Sequence, residues 1–269
     1  MNAHRELQVP GARLRYRDEG AGPVVVFVHG WTLDLEMWEP QAALAGELRV
    51  IRYDRRGFGL SQGEPSPAAD LADLGALLRA LGVVGPMLVG MSQGVRVVLE
   101  FAARHPGAVR GLVLDGPPPL VGAAQAEVQD DLALDELRRV ALHEGMPAFR
   151  RLWSRHPLTR LVTTDPHMHA LLARILARYP GRDLLADGEP PREAIDARSL
   201  AHIDTPALIV NGAHDSAIRR RAGASLRAAL GAAEYSVVPD AGHLPNLDAP
   251  REYNQLMSGF ARRHLPAAA

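Results

Sequence analysis

The chain has 269 residues, 47% of them hydrophobic and 23% charged, which supplies enough apolar material for the core of one large domain or of a core with a subdomain. Its formal net charge of -1 provides no general attraction for nucleic acid, and the arginine clusters 219–221 and 262–263 are too short to change that, so both are expected on solvated helix faces. Cysteine and lysine are both absent, which excludes disulfides, thiol catalysis, cysteine-ligated metals and a catalytic lysine.

The opening Met1-Asn2-Ala3-His4-Arg5-Glu6 has no apolar signal-type run, and no apolar stretch approaches the roughly 20 residues needed to cross a bilayer. The expectation is a cytoplasmic protein without membrane partners. Residues 13–17 predict an antiparallel edge strand. The β-branched or apolar runs 24–28, 49–53, 87–89, 111–114, 207–210 and 235–238 then predict the strands of a parallel sheet. Amphipathic stretches at 67–81, 92–105, 219–230 and 249–264 alternate with them, the pattern of an α/β protein whose mostly parallel central sheet is flanked by helices. In the first of these, Leu71, Leu74, Leu77, Leu78 and Leu81 have the spacing of one buried helix face.

Three consecutive prolines from Pro117 break the alternation, and a helix-rich, strand-poor region runs to about residue 199. It predicts an inserted helical cap over 117–199, with helices within 124–143, 147–155 and 167–179, punctuated by Gly145, Pro157, Pro180-Gly181 and Pro190-Pro191. The core is then formed by 1–116 and 200–269.

Gly90-Met91-Ser92-Gln93-Gly94 stands between an apolar strand and a helix. On so sharp a turn the serine hydroxyl is pushed into the open, and glycines two residues to either side let the backbone crowd together. A helix-capping serine is the plain alternative, but a cap does not need glycine on both sides. Strand 24–28 ends in His29-Gly30-Trp31, where the glycine lets the loop approach a substrate closely; read alone, the segment is equally a simple strand-to-loop turn with Trp31 in the core. Strand 207–210 leads into Asn211-Gly212-Ala213-His214-Asp215, and strand 235–238 into Pro239-Asp240-Ala241-Gly242-His243. His105, His143, His156, His202 and His264 lie in or beside helical stretches, where packing or surface roles are the ordinary expectation. His167 and His169 lack a third ligand at a recognisable spacing, so neither metal nor cofactor is expected.

The order of nucleophile, acid and histidine, each after its own strand, resembles that of the α/β-hydrolase superfamily, nearest to its small bacterial esterases, lactonases and perhydrolases. The resemblance implies that Ser92 is the nucleophile, His243 the general base and Asp215 the acid that orients it. Asp115, at the end of strand 111–114, is the rival, since some members supply the acid from there. It further implies an oxyanion hole from the backbone N–H groups of Trp31 and Gln93, the latter at the positive end of a helix dipole. The segment Asp54-Arg55-Arg56-Gly57-Phe58-Gly59-Leu60-Ser61 resembles a structural turn of the family. Val95 departs from the Gly or Ala usual after Gly94 and is read as a packing variation. Asp240 and Asp248 are read as loop-capping residues.

The implied activity is hydrolysis of a small carboxylic ester or lactone through an acyl-Ser92 intermediate. Carbon–carbon bond hydrolysis or cofactor-free perhydrolysis with the same triad stays open, as does a ligand-binding protein or receptor of this fold with little turnover. Relatives with an aspartate nucleophile do not match position 92. Trp31, Met146, Phe149 and Trp153 are candidate substrate contacts, and with Leu172, Ile175 and Leu176 the cap residues among them serve equally as packing core. Substrate identity and oligomeric state are not legible in the sequence.

Overall fold

The computed structural model describes residues 4–120, 132–186, 200–231 and 233–266. Eight strands form one sheet: β1 (Arg5–Val9), β2 (Ala12–Glu19), β3 (Val24–Val28), β4 (Arg49–Tyr53), β5 (Met87–Met91), β6 (Gly111–Asp115), β7 (Ala207–Gly212) and β8 (Glu234–Val238), in the order β1-β2-β4-β3-β5-β6-β7-β8. The pairs β1–β2 and β2–β4 are antiparallel and the other five are parallel. The strand expected over 13–17 is therefore not the edge, because the polar run β1 pairs outside it through a hairpin that sets Val9 against Ala12.

Strands β5, β6 and β7 are buried along their whole length, and their sequences read as apolar runs up to Asp115 in β6 and Asn211 in β7. Their side chains still alternate between the two faces, as the twofold pleat requires. Val25, Phe27, Met87, Val89 and Met91 join one apolar cluster with Trp38 and the C-terminal helix residues Tyr253, Met257 and Phe260. Val26, Val28, Leu88, Leu112 and Leu114 join the other with Leu74, Leu77, Val98 and Leu99.

The second face is covered by α1 (Pro67–Ala80), α2 (Gln93–Arg104) and α7 (Ala217–Leu230), the first by a 3-10 segment (Leu35–Gly46) and α9 (Pro250–His264). Helix α1 begins where Ser66 accepts from the Ala69 N–H at 3.1 Å and Pro67 fits the first turn, whose N–H would have no helical partner. Its Leu71, Leu74, Leu77 and Leu78 are buried as their spacing predicts, each contributing roughly 1.5–3 kcal/mol.

Between β6 and β7 the described residues contain no strand but carry α3 (Leu134–His143), α4 (Met146–Trp153), a short 3-10 turn (Pro157–Thr159), α5 (Pro166–Arg178) and α6 (Arg182–Leu185). This is the inserted helical region. The first part of the helix expected over 124–143, Pro190-Pro191 and the end of the region at residue 199 lie outside the described residues. The insertion is tied to the core by Trp153 Nε1 donating to Thr32 Oγ1 at 2.7 Å and by Arg178 donating to Asp34 at 2.7 Å. A third tie runs from the Val162 and Thr163 N–H groups to Asp248 Oδ1 at 2.7 and 3.0 Å. No helix among the described residues is long and apolar enough to cross a membrane.

The strand order reverses direction at β3, which has β4 on one side and β5 on the other. In an open parallel sheet, ligands bind in the crevice beyond the carboxyl ends of the strands at such a switch point. The loops after β3 and β5 are those that carry Trp31 and Ser92.

Candidate active site

Ser92 links β5 to α2 (Gln93–Arg104) with φ 49° and ψ -114°, a conformation a non-glycine residue adopts only when its surroundings impose it. The surroundings are tight. A Cβ on Gly94 would stand 2.4 Å from the Val28 carbonyl oxygen, and one on Gly90 would stand 2.4 Å from the Gly94 oxygen. The Ser92 backbone is fixed on both sides: its N–H donates to the Asp115 carbonyl at 2.8 Å and its carbonyl accepts from the Val95 N–H at 2.9 Å. Its side chain makes no capping bond to the helix, so the capping alternative does not describe this serine. The branched Val95 is accommodated by full burial among Val28, Leu88 and their neighbours.

His243 lies in the loop between β8 and α8 (Pro245–Asp248), with Nδ1 3.0 Å from Asp215 Oδ2. A carboxylate only accepts, so Nδ1 carries the hydrogen and Nε2 of the neutral ring is left with its lone pair. Asp215 follows β7 and is held in turn, Oδ1 accepting from the Ser216 N–H at 2.7 Å. Burial raises the Asp215 carboxyl, but the attraction and hydrogen bond of His243 and the Arg219 charge prevail and hold it below the ordinary carboxylate range. Asp115 is also near, yet it is wholly buried beside Tyr253. Burial drives its carboxyl well above the ordinary range, and the Asp215 charge adds to that despite the opposing effect of Tyr253. The carboxylate that accepts from His243 Nδ1 is that of Asp215, so the geometry favours Asp215. Asp248 Oδ2 accepts from the Gly242 N–H at 2.8 Å and so fixes the His243 loop, while Asp240 is exposed.

The β3 loop meets the elbow directly, since a Cβ on Gly30 would stand 2.6 Å from Met91 Sδ. Within this loop His29 is buried and neutral. Burial first, then the Arg55 charge, push it well below the ordinary histidine value, and its Nε2 accepts from the Arg55 N–H at 2.9 Å. The Trp31 ring is fixed by a bond from Nε1 to Asp183 Oδ2 at 2.6 Å, and the Tyr179 hydroxyl donates to the other oxygen of the same carboxylate at 2.6 Å. Trp153 packs edge-on against Trp31 at 5.0 Å between centroids.

A cavity of about 480 Å³ opens here, and Trp31, Ser92, Gln93, Trp153, Arg219 and His243 are among its lining residues. Phe149 is fully buried behind Trp31, 6.1 Å away edge-on, and Met146 packs on Gly181; neither is among the lining residues. Leu172, Ile175 and Leu176 are buried in the packing of the insertion. His169 Nε2 is 2.7 Å from the Thr163 carbonyl. Among the described residues no three or more His, Asp or Glu side chains converge as a metal site requires.

Three lining residues have contacts that the sequence reading does not anticipate. Arg55, from the supposedly structural turn, donates to Asp70 Oδ2 at 2.9 Å and to the side chain of Gln93. Asp183 reaches the cavity from α6. Arg220 and Arg221 are exposed, as a charged helix face predicts, but Arg219 is only 2% exposed and donates from Nη1 to Ser92 Oγ at 3.1 Å. The solvated-face expectation fails there because the first turn of α7 points that one position inward. The available signal was position: four residues after Asp215, at the end of a helix that disfavours a cation.

Residues 23–250 match the family model described as alpha/beta hydrolase fold, and the chain belongs to that family. It is 28% identical over 273 residues to the 2-hydroxymuconate semialdehyde hydrolase of Pseudomonas sp. (strain CF600), covering 95% of this chain and 93% of that protein. Among solved structures it is similar to a thermophilic esterase from Thermogutta terrifontis, with a TM-score of 0.80 and 26% identity over 97% of this chain and 99% of the other. It is also similar to the enol-lactonase from Burkholderia xenovorans LB400, with a TM-score of 0.78 and 25% identity over 96% of this chain and 100% of the other. The chain is thus a member of a hydrolytic enzyme family.

Proposed function

We propose that the protein is a serine hydrolase that cleaves a small carboxylic ester or lactone through an acyl-Ser92 intermediate. Ser92 Oγ attacks the carbonyl carbon while His243 Nε2 takes the hydroxyl proton, and Asp215 holds the ring and balances the imidazolium that forms. The carbonyl oxygen becomes an oxyanion, which accepts from the N–H groups of Trp31 and Gln93, the second at the N-terminus of α2. When the intermediate collapses, the alkoxide leaves with the proton from Nε2. Water then loses a proton to the same nitrogen, attacks the acyl carbon and releases the acid, returning Oγ–H.

The observation that carries this reading is the strained Ser92 opening into one cavity with His243, whose Nδ1 lies 3.0 Å from Asp215. Strain of this kind costs on the order of 1–3 kcal/mol, which a merely structural turn has no reason to retain. The similarity to an esterase and an enol-lactonase supports the substrate class.

The test is hydrolysis of p-nitrophenyl acetate by the wild type and by Ser92→Ala. Turnover by the wild type and a loss of about a thousandfold or more in the variant are expected, with circular dichroism unchanged. A variant within about tenfold of wild type would contradict the mechanism, and a wild type without turnover on a panel of esters and lactones would favour a binding protein.

A further inference from the structure

The loop that leaves β3 is gripped by the inserted helical region. Asp183 Oδ2 accepts from Trp31 Nε1 at 2.6 Å, Trp153 Nε1 donates to Thr32 Oγ1 at 2.7 Å, and Arg178 donates to Asp34 Oδ2 at 2.7 Å. The segment so held is strained. Thr32 is β-branched and buried, yet has φ 62°, a left-handed value that such a residue takes only when its surroundings impose it. Asp183 is braced in turn, because its Oδ1 accepts from the Tyr179 hydroxyl at 2.6 Å. The Tyr179 ring is buried and stacks on Phe58 at 6.0 Å between centroids, and its backbone carbonyl accepts from Arg150 at 2.8 Å.

Within this loop the peptide between Gly30 and Trp31 bears on the reaction. His29 Nε2 accepts from the Arg55 N–H, so the neutral ring carries its hydrogen on Nδ1 and donates it to the Gly30 carbonyl at 2.8 Å. In a trans peptide the N–H points opposite to the carbonyl, and this bond therefore aims the Trp31 N–H away from His29. One hydrogen bond still lets the peptide plane tilt about it. Gly30 has no side chain to resist the tilt, so the remaining hold is on Trp31, through its ring and the bond from Nε1 to Asp183. An oxyanion donor has to stand about 2.7–3.1 Å from the charge that develops, and a displacement of about 1 Å forfeits most of the bond.

Resting on the reading of Ser92 as nucleophile and of the Trp31 N–H as oxyanion donor, we propose that Asp183 is a positioning residue for the oxyanion hole: by tethering the Trp31 ring to the insertion, it keeps the Trp31 N–H where the oxyanion forms. Asp183 touches no substrate atom in this role. The insertion thus takes part in the chemical step and does not only shape the pocket.

Asp183→Ala and Trp31→Phe cut the same bond from its two ends, the second while keeping an aromatic ring in place. With p-nitrophenyl acetate each is expected to lower kcat by about tenfold or more and to change KM by less than about threefold, because acylation and deacylation both pass through the oxyanion. The double variant should be within about threefold of the poorer single one. A trifluoromethyl ketone, whose carbonyl carbon bonds to Ser92 Oγ and whose oxygen becomes the same oxyanion, should bind each variant more weakly by the factor lost in kcat/KM. Asp183→Asn keeps an acceptor for Trp31 Nε1 and offers its amide to the Tyr179 hydroxyl, so it should stay within about threefold of wild type. Arg182→Ala, which removes the 3.6 Å pair with Glu64 from the same short helix, should leave kcat unchanged. An unchanged kcat in Asp183→Ala, a loss confined to KM, or losses that multiply in the double variant would overturn the proposal while leaving the serine hydrolase reading intact. If Asp183→Ala does not fold, kcat and ketone binding of Trp31→Phe decide. A wild type that hydrolyses neither esters nor lactones would sink the reading of Ser92 and this proposal with it.

Discussion

Ser92 holds its position because Gly90 and Gly94 leave room for the turn, and this makes Gly94→Ala a sharp probe. The added methyl would meet the backbone oxygen of Val28, so a loss of about 1–3 kcal/mol in stability is expected from chemical denaturation. Stability equal to wild type would mean that the elbow relaxes more easily than its contacts imply. The choice between the two aspartates belongs to the same scale. Asp215→Asn should reduce ester turnover by several hundredfold more than Asp115→Asn, because only Asp215 bonds to His243 Nδ1. The reverse order would reassign the acid without changing the reaction class. The convergence of Ser92, Asp215 and His243 is legible in the sequence because each follows a strand in a short glycine-containing loop. The burial of Arg219 is not, since in sequence it is one of three consecutive arginines and only the angular position of the first turn separates it from Arg220 and Arg221.

Among the elements, the buried parallel strands were legible because coverage on both faces leaves an unbroken apolar run, as in Met87–Met91. Strand β1 was missed because Arg5-Glu6-Leu7-Gln8-Val9 is a largely polar edge whose pairing depends on the turn at Gly11. The 3-10 segment Leu35–Gly46 was missed because Pro40 interrupts any helical period. The insertion was legible as helical, but its lining and packing residues were not separable, since both are apolar at helical spacing. The structure separates Trp153, at the cavity, from Met146, on Gly181. Trp153→Ala should therefore shift the preferred chain length across p-nitrophenyl esters from acetate to octanoate, each methylene being worth about 1–3 kcal/mol in discrimination. Met146→Ala should lower Tm and leave the kcat/KM ratios unchanged. Uniform scaling in both variants would place specificity in the core loops near Trp31.

Across the molecule, the insertion and the sheet share a buried charge network whose pH response has a definite sign. Burial, then the nearby Asp34, push the Asp54 carboxyl up to about 7, although Arg15 and the N–H groups of Leu60 and Leu35 oppose the shift. A folded-state value above that of the unfolded chain means that the native form holds the proton more tightly. Stability from this group is thus present below about pH 4 and is lost as the pH rises through about 7. Relative to Asp54→Asn, the wild type should lose Tm between about pH 5 and about pH 8; a difference independent of pH would contradict the assignment. Covalent labelling tests most directly whether Ser92 supplies the reacting oxygen. After treatment with a fluorophosphonate, intact-mass and peptide analysis should find one adduct per chain, on Ser92, with ester turnover lost in proportion to labelling. Turnover that survives full labelling of Ser92, or an inactivating adduct on any other residue, would contradict it.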